Sequence, residues 1–157
     1  KEQTMQKMSF GLRCVEVILF ILLISGTLST LSVILPILFS VITGNMPSLL
    51  SIGGLLVAAP LLLVPASVLW FWFRVPSPAS RIRIIVSLSG LAIWLALIGF
   101  GSVFGQALLD QPLQQSDFVV SVVLNPAFIG SALCQISLFY LAFSSGAKAF
   151  YEIQPQA

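Results

Sequence analysis

The residues able to do chemistry are few. Histidine is absent, which removes the usual general base and the commonest metal ligand. Of five acids, Glu16 alone stands beside an apolar run, three residues after Arg13. At i, i+3 on a helix the two can pair. The ordinary reading is a snorkelling ion pair near an interface; the chemical one is a proton or cation role. Cys14 and Cys134 fall at different depths of the apolar segments, a poor geometry for a disulfide. Two thiols without histidine also fall short of a metal site, and both are read as small apolar fillers. The sequence holds no phosphate loop, dinucleotide fingerprint, nucleophile elbow or metal motif. The expectation is a non-enzymatic protein with no metal and no cofactor called for by its residues, a bound lipid or pigment being left open.

Uncharged features carry the remaining signals. Pro60 and Pro65 each remove a helical hydrogen bond and leave a carbonyl without its donor. Such kinks are ordinary in transmembrane helices, although broken helices also line transporter sites. Gln106, Gln135 and Asn125 offer polar contacts between helices; a pigment or solute ligand is the alternative for the two glutamines. Gly90, Gly99, Gly101 and Gly105 stud one apolar run, and Gly130 stands four residues before Cys134 in another. Small residues at such spacing let helix backbones approach closely in lipid, inside the bundle or against a partner.

The elements that position these residues follow from composition. The chain has 157 residues, 58% hydrophobic and 8% charged, with a mean hydropathy of +1.08. Soluble domains carry about 25% charged residues, so the expected class is a membrane-embedded, all-α, single domain. The net charge of +2 is too small for a nucleic-acid footprint. About 20 apolar residues cross a bilayer, and four stretches qualify: 15–41, 52–73, 84–109 and 127–147. The first exceeds one crossing and is expected to tilt or project. Short links join the four, a turn at Gly44–Pro47, a basic loop at Arg74–Arg83 and an acidic loop at Asp110–Asp117, so neighbours should pack antiparallel.

Charge orients the bundle. Lys1, Lys7, Arg13, Arg74, Arg81, Arg83 and Lys148 all fall on one side of a four-span chain, and Asp110 and Asp117 fall on the other. The positive-inside rule then puts both termini on the cytoplasmic or stromal side. Trp70 to Phe73, together with Tyr151, read as an aromatic belt on that side. Asn125 followed by Pro126 reads as a helix cap and first turn. Residues 118–124 would then lie along the outer interface, the alternative being a helix extended through a proline kink.

The layout from Phe10 to Phe143 resembles a four-span family of cyanobacteria and plastids known as permease in chloroplasts, or the small translocon-associated protein of the inner envelope. The residues concerned are Trp70-Phe71-Trp72-Phe73-Arg74, Gly99 to Leu109 with Gln111-Pro112, and Asp117-Phe118-Val119-Val120 with Asn125. The basic loop holds fewer Arg and Lys than the family pattern, and the outer polar stretch is reduced mainly to Asn125. The resemblance implies a thylakoid or inner-envelope membrane, with a small permease or protein-translocon component as one function. The residues themselves favour an accessory or scaffold subunit, whose partners are other membrane subunits and the lipid bilayer.

Overall fold

The computed structural model describes residues 9–44, 49–109 and 124–152, with the backbone alone at 49–52 and 105–109. The side chains of Gly105 and Gln106, the acidic loop and the 118–123 segment lie outside the described residues. Five helices are described: α1 (Phe10–Ile42), α2 (Leu49–Ser67), α3 (Pro78–Leu109), α4 (Pro126–Phe143) and α5 (Ser145–Tyr151). A π-helical turn at Val68–Trp72 continues α2. No strand occurs among the described residues. Among the described residues, four segments are long and apolar enough to cross a membrane: Phe10–Ile42, Gly53–Trp72, Pro78–Phe104 and Pro126–Phe143.

Local chemistry sets the helix ends. Ser9 caps α1, its Oγ accepting from Leu12 N at 3.4 Å, so the helix begins earlier than hydropathy alone suggests. Its 33 residues make a rod of about 50 Å, well beyond a hydrocarbon core of about 30 Å. Gly44 ends the helix with φ +77°, a left-handed position that glycine adopts without steric cost. Asn125 caps α4 as expected: its Oδ1 accepts from Ala127 N at 2.9 Å, and Pro126 opens the first turn. The fourth helix ends at Phe143, four residues short of the expected boundary. Ser144 takes an extended conformation (φ −69°, ψ 130°), and its Oγ accepts from Gly146 N at 3.2 Å to start α5. A serine cap thus breaks a run that hydropathy reads as continuous.

The helices associate as two antiparallel pairs, α1 with α2 and α3 with α4. Gly26 on α1 faces the α2 backbone at Leu61; a Cβ there would stand 2.6 Å from the Leu61 carbonyl carbon. Further along the same pair, Val33 packs over Gly54. In the second pair Gly99 faces the Phe128 ring and Gly130 faces Leu95. Ser131 Oγ donates across to Ala92 O at 3.0 Å. The pairs join through a shared core that includes Leu12, Leu19, Leu22, Val68, Phe73, Ile84, Leu88, Leu95 and Leu141. On α1 the buried apolar residues run from Leu12 only to Leu22, while Leu31, Leu35 and Leu38 are exposed. The four-helix core therefore sits toward the end that carries the arginines.

Candidate functional site

Polar contacts concentrate at that arginine-bearing end, where the start of α1, the close of the π turn, the start of α3 and the α4–α5 junction meet. Arg81 is the hub. Its Nε donates to Leu141 O at 2.9 Å and its Nη2 to Ala142 O at 2.8 Å, while Nη1 pairs with Glu152 Oε1 at 2.6 Å. The last turn of a helix leaves carbonyls without intrahelical donors, and a guanidinium fork supplies several donors in one plane. The Arg81 side chain is only 13% exposed, so its two bonds to backbone carbonyls are made largely out of water.

Two tyrosines lock the same end. Tyr151 is fully buried, and its hydroxyl donates to Phe73 O at 2.8 Å. Burial pushes its phenol well above the ordinary value. The Tyr140 ring lies over Gly11, where any Cβ would collide with it, and its hydroxyl shares a 2.9 Å hydrogen bond with Ser9 Oγ. These placements correct the aromatic-belt reading in part. Trp70 and Phe71 are exposed, as a belt requires, but Phe73 and Tyr151 belong to the core. The turn at Ser144 folds α5 back onto the bundle and carries Tyr151 inward.

The expected Arg13–Glu16 pair does not form. Glu16 Oε1 accepts instead from Arg74 Nη2 at 3.0 Å, and Arg13 is exposed. Arginine preceding glutamate is the weaker order for a pair on one helix, and the π turn carries Arg74 alongside α1. Arg74 also lines an apolar groove of about 860 Å³, together with Phe20, Leu23, Leu63, Ala66 and Trp70.

The remaining sequence candidates divide clearly. Pro60 and Pro65 lie inside α2, and Pro65 is buried. Pro65 cannot donate to Leu61 O, and that carbonyl is the group against which Gly26 packs. The freed carbonyl is thus covered by a neighbouring helix. Gln135 bonds to Ser131 Oγ of its own helix at 3.5 Å rather than across helices; Ser131 makes the crossing. Asn125 does cross, its Nδ2 donating to Ser102 Oγ of α3 at 2.8 Å. At Gly90 and Gly101 an added Cβ would meet no atom of the described residues within 4 Å. Cys134 is buried and Cys14 exposed, and neither is disulfide-bonded. Among the described residues, no cluster of acids and cysteines is placed to hold a metal ion, and every buried side-chain nitrogen or oxygen has a hydrogen-bond partner.

Sequence reasoning missed Gly26, Arg81 and Tyr140. Gly26 and Thr30 form a small-x-x-x-small step that was readable in α1. Arg81 and Tyr140 carried no such signal, because their partners lie 60 and 131 positions away. Comparison with protein-family models, with curated proteins and with solved structures found no match to this chain.

Proposed function

We propose that this chain is a non-enzymatic subunit of a larger membrane complex, an accessory or scaffold component whose partners are other membrane proteins. The observation that carries the reading is the outward face of α3. Gly90 and Gly101 stand eleven residues, about three helical turns, apart, on a stripe turned away from α4. Neither has a neighbour among the described residues, and Leu97 between them is exposed. A partner helix gains close backbone contact at such a stripe. The interior supports the same reading, since its hydroxyls are spent on backbone carbonyls and Gly26 closes over the carbonyl that Pro65 frees.

The arginine-bearing end faces the positive-inside compartment in this reading, and the family resemblance suggests a cyanobacterial or plastid membrane. Orientation is tested by labelling Ala79→Cys and Gln114→Cys in a background without the native cysteines. An impermeant maleimide added from outside should reach only position 114.

The functional test is extraction from native membranes in mild detergent. The chain should migrate in an assembly larger than itself, with defined partners identified by mass spectrometry. Reconstituted alone in liposomes, it should move no iron or other small cation above background. Saturable uptake abolished by Pro60→Ala or Pro65→Ala would replace the scaffold with a permease.

A further inference from the structure

We propose that the groove between α1 and the α2–π segment is a binding site for one anionic phospholipid, with its phosphate on Arg74 and an acyl chain along Phe20, Leu23, Leu63 and Ala66. Three features define the ligand. Apart from Ser67, whose hydroxyl donates back to Leu63 O, the groove lining is apolar, and its only charged residue, Arg74, stands at one end. Leu63 and Arg74 are eleven residues apart, so the groove runs about 16 Å along the helix axis, which matches one leaflet of a hydrocarbon core about 30 Å thick. Trp70, 85% exposed beside Arg74, is the residue type that settles at headgroup level. Depth, apolar lining and terminal charge together describe an amphiphile lying parallel to the helices.

The charge pattern selects an anionic headgroup. Arg74 gives one N–H to Glu16, and a guanidinium has five, so its other donors remain to grip phosphate oxygens in a fork. Glu16, only 20% exposed on its side chain, anchors a guanidinium that is itself 75% exposed. Arg13, one helical turn before Glu16, is also exposed, and neither ion pair among the described residues involves it. Two guanidiniums thus stand against one carboxylate near Arg74, which disfavours the choline cation of a zwitterionic lipid and leaves a net anionic headgroup as the better fit.

The π turn shapes the site. Phe73 N donates to Val68 O at 2.8 Å, an i to i−5 bond that widens the helix by one residue. Without this extra residue, Trp70 and Arg74 would sit at different angles around the helix axis. Single π turns inside helices recur at functional sites.

The test uses the purified, delipidated full-length chain in detergent, titrated with phosphatidylglycerol or phosphatidylcholine of identical acyl chains and read by native mass spectrometry. One phosphatidylglycerol should bind about tenfold more tightly than phosphatidylcholine. Arg74→Gln should erase that preference, whereas Arg83→Gln should keep it. Ala66→Trp, which fills the groove, should weaken both lipids; Leu63→Phe serves if the first variant loses helicity. Glycerol phosphate should not compete, because it has no chain for the groove. Equal binding of the two lipids would overturn the proposal, as would a preference that survives Arg74→Gln or falls equally with Arg83→Gln. Undiminished binding in the groove-filling variants, or a partner protein displacing the lipid in the native complex, would also overturn it.

Discussion

Gly26 of α1 lies against the carbonyl of Leu61, the group on α2 that Pro65 deprives of its helical donor. The two features work together. In lipid an unsatisfied carbonyl is costly, and a glycine lets the neighbouring backbone cover it where any side chain would hold the helices apart. Thr30, one turn on, turns its hydroxyl back to Gly26 O at 2.8 Å and adds no polar group to the seam.

Gly26→Ala should therefore destabilise the α1–α2 pair by about 1–3 kcal/mol, the range for overpacking a closed core, and Gly26→Leu should separate the helices. Unfolding in mixed detergent micelles measures both. Pro65→Ala, which restores the missing N–H, should cost less than Gly26→Ala. The reverse order would mean that the seam is not held by close approach.

Arg81 yields a second prediction. Replacing it with Ala leaves the carbonyls of Leu141 and Ala142 and the carboxylate of Glu152 without their shared donor. The two partly buried carbonyls orphaned in this way should cost about 1–3 kcal/mol. Hydrogen exchange should rise first in α5, which Arg81 ties to α4 and α3. Arg81→Lys should restore little, because a single ammonium cannot reach three acceptors in one plane. Loss of the ion pair alone, in Glu152→Gln, should change little, since that carboxylate is half exposed.

Much of this architecture was legible in the sequence, and what was missed has a common cause. Hydropathy located four spanning segments, and Asn125-Pro126 announced the start of α4 because caps and first-turn prolines act locally. The Arg13–Glu16 pairing failed because the stronger partner, Arg74, is 58 positions away. Tyr151 looked like an interfacial anchor because the break at Ser144 is set by one serine cap inside an apolar run. Spacing marked the α3 glycines as small but could not tell Gly99, under the Phe128 ring, from Gly101, which faces outward two residues later. Local signals survive in a sequence, whereas the direction of a helix face depends on what packs against it.

Tyr151 makes stability depend on alkaline pH. Burial raises its phenol above the ordinary value of about 10, so the folded chain keeps its proton where the unfolded chain loses it. The stabilisation is complete below about pH 10 and is lost as pH rises from there toward the folded value. Thermal melting of the solubilised protein should fall more steeply between about pH 10 and 12 than that of Tyr151→Phe, which cannot titrate. The variant should be less stable at neutral pH, since the bond to Phe73 O is gone. Parallel curves would mean that the phenol reaches water.

The outward and inward glycines separate folding from assembly. A Cβ added at Gly130 would stand 3.1 Å from Leu95 Cδ1, whereas one added at Gly101 would meet open space. Gly130→Leu should therefore force α3 and α4 apart, lower the melting temperature of the isolated chain and reduce its yield. Gly101→Leu should leave the isolated chain's helicity and melting unchanged, because nothing among the described residues opposes the new side chain. In native membranes the same substitution should release the protein from its assembly, since a leucine on that stripe holds a partner helix away from the α3 backbone. The two readouts, melting of the purified chain and migration of the native complex, should thus respond to different glycines. A Gly101→Leu chain that still co-migrates with its partners at wild-type size would place that stripe against lipid. The accessory-subunit reading would then lose the observation that carries it.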